Sequence, residues 1–294
     1  MTRHLLTGTE LQRDELLALL DRADALKAAP LSSRALEGRS VALIFEKPST
    51  RTRLSFEAGI FELGGQPVVL RSGDLQLSRG ESAPDTARIL SRHMAAIGVR
   101  TGPDALLEEL ASTATVPVFN MLTAGHHPCQ ALADLMTLRE TFGRLEGLRL
   151  AYVGDGNNVA RSLALLGEIV GVEVAVASPL HYTLTGAPGA RLTTDPAEAV
   201  AGAHAVYADV WVSMGDEATA DERRAALEPY RLDDALLDRA ASDAIALHCL
   251  PAHPGEEITA ELLYGPRQRI WDQAENRRHV QKALLELLLR PAGS

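Results

Sequence analysis

The chain has 294 residues, 46% of them hydrophobic and 23% charged, and carries a formal net charge of −10. This length allows two domains, and this composition is typical of a globular protein and excludes a disordered one. The acidic balance argues against a nucleic-acid partner, because a phosphate backbone requires a basic face.

The sequence also bears on membrane association and on the redox compartment. It contains no run of roughly eighteen apolar residues, which predicts no membrane span. Residues 1–10 show no apolar secretory pattern. The two cysteines, Cys129 and Cys249, are therefore predicted to be free thiols in a cytoplasmic protein.

The first half of the chain alternates between strand and helix patterns, which indicates a parallel sheet covered by helices. Apolar runs predict the strands, and helical periodicity with Pro or Gly stops predicts the helices. The predicted elements are a helix over 10–29, a strand over 40–45, a helix over 54–65, a strand over 66–70, a helix over 82–94, a strand over 95–99, a helix over 104–111, a strand over 116–119 and a helix over 128–142.

Turn residues over 143–147 separate this series from a second one. The second series has strands over 149–153, 172–177, 205–209 and 244–248, with helices over 159–170 and 274–289. The predicted fold is therefore α/β, with two domains that are each a parallel sheet flanked by helices. The predicted boundaries are 1–142 and 143–274, with a C-terminal helix at about 275–290 that packs back on the first domain.

A run of hydroxyl and guanidinium side chains, Ser49 to Arg53, lies where a predicted strand passes into a helix. Unpaired backbone N–H groups and a positive dipole are found at a helix N-terminus, and arginine matches phosphate geometry. Together with the hydroxyl donors these groups predict an anion site for phosphate. The alternative is an ordinary helix cap with exposed arginines.

Two further polar motifs and one arginine also follow predicted strands. They are His126 to Gln130, His248 to Pro251, and Arg100. Because ligands of open α/β sheets bind outside the carboxyl ends of the strands, we expect these groups to belong to a site. Zinc is a weak alternative, because adjacent strand residues point to opposite faces and no metal-ligand spacing is present. We predict no metal.

Two loops remain. Residues 154–158 (GDGNN) resemble a dinucleotide-binding fingerprint but lack its third glycine, which argues against a nicotinamide site. Asparagine side chains both donate and accept, which suits an amino-acid substrate. In residues 209–215 (DVWVSMG), Asp209 has the charge to bind a substrate ammonium group, and the Ser-Met-Gly turn is a candidate closing loop.

Taken in order, four of these motifs resemble those of the aspartate/ornithine carbamoyltransferase family over nearly the whole chain. Ser-Thr-Arg-Thr-Arg and His-Pro-x-Gln are similar to motifs of the whole family. Asp-x-x-x-Ser-Met-Gly and His-Cys-Leu-Pro are similar to those of its ornithine branch. The resemblance implies transfer of a carbamoyl group from carbamoyl phosphate to the side-chain amine of L-ornithine, giving citrulline and phosphate in arginine biosynthesis.

The resemblance also implies domain roles, partners and site residues. Domain 1–142 would bind carbamoyl phosphate and 143–274 ornithine, in a homotrimer or an assembly of trimers that needs no cofactor. The carbamoyl phosphate site would comprise Ser49, Thr50, Arg51, Thr52, Gln76, Arg100, His127, Gln130, Cys249, Leu250 and Arg277. The ornithine site would comprise Asn158, Asp209, Ser213 and Met214. The catalytic residues would be Arg51, Arg100, His127, Asp209 and Cys249.

Within this set, Arg100, His127 and Thr52 are predicted to be the positive donors for the developing oxyanion, and Arg51 to stabilise the leaving phosphate. Gln76 would reach a neighbouring subunit's site. Three departures from the family pattern are His126, where an aromatic residue is common, Gly80, where a basic residue is common, and a shortened stretch over 179–195.

Three rival functions stay open. The first is a carbamoyltransferase with another acceptor, namely aspartate, putrescine or an acylated ornithine, and the Ser-Met-Gly loop opposes it. The second is a catalytically silent anion-binding subunit, which the intact set of polar motifs opposes. The third is a nicotinamide-dependent dehydrogenase, which the broken glycine fingerprint opposes.

Overall fold

Two parallel β-sheets organise the chain, as the sequence predicts. The structure, a computed structural model, describes residues 2–213 and 215–290. One unit comprises Met1–Ala133 with Glu275–Ser294, and the other comprises Asp134–Ala274; they are called unit 1 and unit 2. The boundary at 142/143 and its domain roles stay a prediction. No helix in the described ranges is long and apolar enough to cross a membrane.

Unit 1 contains a four-stranded sheet of order β2-β1-β3-β4 with helices around it. All three strand pairs are parallel. The elements in chain order are α1 (Arg13–Ala28), β1 (Ser40–Phe45), α2 (Thr50–Glu62), β2 (Gln66–Arg71), α3 (Ala83–His93), β3 (Ala96–Arg100), α4 (Asp104–Thr113), β4 (Val118–Leu122) and the first part of α5 (Pro128–Phe142).

The strand order of unit 1 places a crevice at the ends of β1 and β3. The chain leaves β1 toward β2 on one side, while β3 lies on the other side, so the order reverses between these two strands. Phe45 and Arg100, the last residues of β1 and β3, are direct partners in the register. Such a switch point is where open α/β sheets bind ligands.

Aliphatic side chains fill the space between this sheet and α3 and α4. Ile44, Ile97 and Leu110 are among the fully buried members of this core. On β3, a Cβ at Gly98 would come within 2.5 Å of the Phe119 ring, so the strand requires glycine where it packs against β4.

Charged side chains attach the C-terminal helix α11 (Ile270–Leu289) to the rest of unit 1. Lys282 is buried and contacts Glu62 at the end of α2 at 2.5 Å. Arg22 of α1 forms two hydrogen bonds, of 2.6 and 2.8 Å, with Glu286. Breaking a buried ion pair strands a charge, so these contacts hold α11 against α1 and α2.

Unit 2 contains a five-stranded parallel sheet of order β7-β6-β5-β8-β9. Here the order reverses between β5 and β8, which again places a crevice at two adjacent strand ends. The elements are β5 (Arg149–Val153), α6 (Asn158–Val170), β6 (Glu173–Ala177), β7 (Arg191–Thr193), α7 (Pro196–Val200), β8 (Ala205–Ala208), α8 (Ala220–Leu227), α9 (Asp234–Leu237), β9 (Ile245–His248) and α10 (Ala260–Tyr264).

The structure differs from the predicted elements mainly at short or irregular segments. β4 begins at Val118 rather than at residue 116, because Pro117 has no N–H for the ladder. α2 begins at Thr50, so the hydroxyl and arginine motif forms its first turn. The edge strand β7 lies inside the stretch over 179–195 and has only three residues, too few for a periodic pattern.

Candidate active site

The anion motif of unit 1 forms the N-terminus of α2. Ser49 is the N-cap, and its hydroxyl accepts a hydrogen bond from the backbone N–H of Thr52 at 3.4 Å. Thr50 and Arg51 occupy the first turn with their side chains at least partly exposed. Backbone N–H groups and the positive end of the helix dipole are therefore available to an anion at this end.

The hydroxyl of Thr52 is held between two buried arginines. Arg100 Nη1 donates to Thr52 Oγ1 at 3.2 Å, and Arg277 Nη2 donates to it at 2.9 Å. Thr52 itself is 2% exposed. A hydroxyl has two acceptor lone pairs and one hydrogen. Since the arginines take both lone pairs, the O–H hydrogen is left to donate to an oxygen that none of the described residues supplies.

Two more predicted residues, Gln130 and His127, belong to the same cluster. The Gln130 side chain accepts a hydrogen bond from Arg277 Nη1. His127 is 5% exposed. Burial lowers the pKa of His127 well below its usual range, and the positive charges of Arg277 and Arg100 lower it further. The imidazole is therefore neutral near pH 7.

This neutral state corrects one sequence-based interpretation. His127 was predicted to be one of the positive donors, but burial among arginines removes its charge. A neutral imidazole still donates through one ring N–H, so His127 keeps the capacity to donate a hydrogen bond to an oxygen.

Two residues of the predicted region lie apart from this cluster. Arg53 points along α2 to Glu57, at 3.0 Å, and its side chain is 45% exposed. Gln76 is exposed in a short 3-10 turn, where Arg79 Nη1 donates to its side chain at 3.5 Å. Gly80 ends that turn with φ of 94°, a conformation that favours glycine over a basic residue.

In unit 2, the carboxylate of Asp209 is the centre of the predicted ornithine residues. It follows β8 directly and is 6% exposed. Its Oδ1 accepts from Cys249 Sγ and from the N–H of Val210, both at 2.8 Å, and its Oδ2 accepts from Asn157 Nδ2 at 2.7 Å. The structure thus brings together the ends of β5, β8 and β9, as their order in the sheet requires.

Asn157 lies in the GDGNN segment that the sequence singled out, but the predicted site included only its neighbour Asn158. Asn157 is the N-cap of α6, and its Oδ1 accepts from the N–H groups of Val159 and Ala160 at 2.9 and 3.2 Å. The available signal was an asparagine directly before a helical pattern, which is typical of a cap. Asn158, the predicted ligand, is the first residue of α6 and is half-buried.

The other predicted residues of unit 2 lie in two loops. Ser213 is half-buried, and its carbonyl accepts from the N–H of Asp216 at 3.0 Å. Met214 lies outside the described residues. Leu250 follows Cys249 with φ of 60°, which is unusual for a residue other than glycine, and precedes the cis Pro251.

An arginine outside the predicted set attaches the loop over 210–216 to the loop after β5. Arg223 of α8 forms ion pairs with Asp155 at 2.9 Å and with Asp216 at 3.1 Å. Its guanidinium also lies over the Tyr182 ring, 5.0 Å from the centroid. Both ends of the Ser-Met-Gly loop are therefore held, one by β8 and one by this arginine.

The structure brings the possible ligand atoms of Asp209, His248 and Cys249 within 4.8 Å of one another, which the sequence argument against a metal did not foresee. However, both ring nitrogens of His248 already have partners. Nδ1 accepts from the N–H of Leu250 at 2.8 Å, and Nε2 contacts Glu257 at 3.2 Å. This arrangement makes His248 a support for the loop that carries Cys249.

The loop after β5 also differs from a dinucleotide-binding turn. The N–H of Gly156 donates to the carbonyl of Tyr182 at 2.8 Å. A Cβ on Gly156 would come within 2.3 Å of the backbone N of Leu184. The close approach that a pyrophosphate makes in a dinucleotide site is made here by the chain itself.

Comparison with known proteins decides the family. Residues 3–140 match the family described as aspartate/ornithine carbamoyltransferase, carbamoyl-P binding domain. Residues 146–288 match aspartate/ornithine carbamoyltransferase, Asp/Orn binding domain. The chain belongs to the aspartate/ornithine carbamoyltransferase family.

Its relatives within the carbamoyltransferase family match it from end to end. The ornithine carbamoyltransferase of Acidothermus cellulolyticus is 53% identical over 100% of this chain and 98% of the relative. That of Parafrankia sp. is 52% identical over 98% of this chain and 96% of the relative. The solved ornithine carbamoyltransferase of Pyrococcus furiosus has a TM-score of 0.93 and 44% identity, covering 100% of this chain and 98% of that one.

Proposed function

We propose that this carbamoyltransferase is an ornithine carbamoyltransferase that makes L-citrulline and phosphate from carbamoyl phosphate and L-ornithine, in arginine biosynthesis. Its full-length relatives at about half identity carry that name. The observation that carries the proposal is the Thr52 hydroxyl held by Arg100 and Arg277 at the N-terminus of α2. This hydroxyl is an oriented donor for a carbonyl oxygen. It lies beside a helix N-terminus that suits a phosphate.

In this proposal the domain of residues 1–142 binds carbamoyl phosphate. The phosphate lies at the first turn of α2, where the backbone N–H groups and arginine charge favour an anion. The proposed ligands are Ser49, Thr50, Arg51, Thr52, Gln76, Arg100, His127, Gln130, Cys249, Leu250 and Arg277. Five of these are buried polar residues of unit 1, positioned by their mutual hydrogen bonds or by burial: Thr52, Arg100, His127, Gln130 and Arg277.

The reaction follows from the arrangement of donors. A neutral amine attacks the carbonyl carbon, and the new C–N bond gives a tetrahedral intermediate. The C–O bond to phosphate then breaks, and the amine proton passes to the departing phosphate. Thr52, Arg100 and His127 donate to the developing oxyanion, and Arg51 stabilises the leaving phosphate. Carbamoyl phosphate supplies the carbamoyl group and ornithine supplies the amine that accepts it. The transfer between them therefore requires no redox group or metal.

The domain of residues 143–274 is proposed to bind ornithine through Asn158, Asp209, Ser213 and Met214. Asp209 accepts from the α-ammonium, because its carboxylate is held as an acceptor by the donors around it. Cys249, 2.8 Å from Asp209, orients the amine side of the substrate. This assignment makes recognition depend on the α-groups of the amino acid.

We expect the acceptor ranking ornithine far above putrescine and aspartate. Putrescine lacks the α-groups, so polar partners would be left unpaired, at about 1–3 kcal/mol for each lost contact. Aspartate has no side-chain amine and would bring a second carboxylate toward Asp209. Initial rates of phosphate release and carbamoylated product, measured for each acceptor at fixed carbamoyl phosphate, test the function. Equal rates with putrescine or aspartate would overturn the ornithine assignment.

We also propose a homotrimer, alone or stacked into larger assemblies, in the cytoplasm. Leu54 and Phe61 of α2 are 60% and 70% exposed, seven residues apart and so on one face of the helix, which suits contact with another subunit. Both cysteines are free thiols, in keeping with a reducing compartment.

If sites are shared between subunits, two inactive variants should complement each other. We expect Arg51→Ala and Gln76→Ala to be weakly active alone and to regain activity after mixed reassembly, because some sites then combine an intact Arg51 with an intact Gln76 from the neighbour. Activity is measured on mixed oligomers isolated through different affinity tags. Each variant reassembled with itself is the control, and mixed oligomers no more active than these controls would argue against sharing.

A further inference from the structure

The side-chain amide of Asn157 has only one orientation that fits its surroundings. Its oxygen accepts from two backbone N–H groups, those of Val159 and Ala160, and such groups can only donate. The hydroxyl of Tyr152 adds a third contact to the same oxygen at 3.2 Å. The Nδ2 group must therefore point the other way, toward Asp209 Oδ2 at 2.7 Å.

Tyr152 acts only as a donor in this arrangement. Burial raises the pKa of Tyr152 well above its usual range, and the nearby carboxylates of Asp209 and Asp155 raise it further. Its hydroxyl therefore keeps its proton. The Tyr152 ring stacks on that of Tyr207 at 5.7 Å, which holds the hydroxyl in place.

Asp209 in turn receives one donor on Oδ2 and two on Oδ1. Cys249 and the N–H of Val210 occupy Oδ1, so the amide of Asn157 is the only described donor to Oδ2. Without it, Oδ2 of this 6%-exposed carboxylate loses its donor, and only the two contacts on Oδ1 are left to fix the orientation of the side chain. The rotamer of Asp209 thus depends on Asn157.

We infer that Asn157 is a positioning residue for the reaction: it couples the N-terminus of α6 to the Asp209 carboxylate and so sets the direction in which that carboxylate meets the ammonium group of ornithine. This inference rests on the proposed function. It assigns to Asn157 an action through Asp209, in addition to the cap that it provides for α6.

Serine separates the two roles, because it caps helices as well as asparagine does but is too short to bridge to Asp209. For Asn157→Ser we expect unchanged thermal stability and a KM for carbamoyl phosphate within about twofold of wild type. The kcat/KM for ornithine should fall roughly 10- to 100-fold, as for loss of a hydrogen bond to a charged group. Unchanged kcat/KM for ornithine would show that Asn157 is only a cap.

Asn157→Asp supplies a second readout that a purely structural role would not change. It keeps the cap and the shape but places a carboxylate oxygen opposite Asp209 Oδ2. Two facing carboxylates share a proton more readily as the pH falls, and the protonated pair restores a donor to Asp209. The ratio of variant to wild-type kcat/KM for ornithine should therefore rise severalfold from about pH 8.5 to about pH 5.5.

The ratio of variant to wild-type kcat/KM cancels the titrations that affect both enzymes equally, including the titration of ornithine itself. The titratable groups around the pair are Tyr152 of β5, Tyr207 of β8, His248 and Cys249 at the end of β9, and Asp155, which is paired with Arg223 of α8. A flat ratio across this range would overturn the inference, even if both variants were slow.

A cap replacement elsewhere in unit 2 is the matched control. Asp195 caps α7 and has no proposed part in the site, so Asp195→Ser should leave kcat/KM for ornithine unchanged. The proposed function fails separately: wild-type enzyme that forms no citrulline would refute that function. A wild-type enzyme that forms citrulline, together with an unaffected Asn157→Ser variant, would refute the inference alone.

Discussion

Replacing Thr52 by valine is expected to lower kcat roughly a hundredfold or more, in keeping with removal of one oxyanion donor. Both lone pairs of the Thr52 hydroxyl are taken by Arg100 and Arg277, so in the proposed mechanism its hydrogen donates to the substrate oxygen. That donor gains strength as negative charge develops in the transition state. The effect should therefore appear in kcat more than in the KM for carbamoyl phosphate.

A structural cost accompanies this substitution and must be separated from the catalytic one. Valine leaves two buried guanidinium groups without their shared acceptor, which costs about 1–3 kcal/mol of the free energy of unfolding. Circular dichroism and the thermal midpoint measure this part. Thr52→Ser is the matched control, because it keeps the hydroxyl and should retain most of the activity. A folded Thr52→Val enzyme with near-normal kcat would contradict the oxyanion assignment.

The positions of the strand ends could be predicted from the sequence, and with them most of the candidate site. Short apolar runs such as Ser40–Phe45 and Arg149–Val153 have the predicted bounds. Polar motifs that follow such runs must lie at one edge of a parallel sheet. The pairing of Phe45 with Arg100 places the ends of β1 and β3 side by side, as that expectation requires.

Apart from β8, the short elements between residues 179 and 240 were not predicted. Four of the eight residues of the helix Ala220–Leu227 are charged and only Leu227 is buried, so the helix has no apolar stripe to give helical periodicity. The strand Arg191–Thr193 is an edge strand whose pairing with β6 defines it more than its composition does. Both depend on tertiary contacts that a local pattern does not carry.

The state of His127 and the role of Asn157 also required three-dimensional information. The pKa of His127 depends on burial and on two arginines that lie far away in the sequence, Arg100 and Arg277. The orientation of the Asn157 amide depends on Tyr152 and on the first turn of α6. The sequence showed the residue types, but neither their surroundings nor the direction of their hydrogen bonds.

Replacing Asp209 by asparagine should lower kcat/KM for ornithine roughly a hundredfold, since hydrogen bonds to charged groups contribute about 1.5–3 kcal/mol and the substituted amide also misfits its neighbours. In the wild-type chain, Oδ2 of Asp209 accepts a hydrogen bond from Asn157 and Oδ1 accepts one from Cys249. An amide at 209 presents one NH₂ group, which would face one of these donors. Binding of carbamoyl phosphate, proposed to rest on groups such as Thr52 and Arg100, should change by less than about threefold.

Norvaline shows which ammonium group Asp209 binds, because it has the α-ammonium and α-carboxylate of ornithine but no side-chain amine. If Asp209 binds the α-ammonium, Asp209→Asn should weaken inhibition by norvaline by about the same factor as it lowers kcat/KM for ornithine. The inhibition constant against ornithine is measured at saturating carbamoyl phosphate, with the thermal midpoint as the control for folding. Norvaline inhibition that is equal in the two enzymes would place Asp209 at the reacting amine instead, where its charge would act on proton loss rather than on recognition of the amino acid.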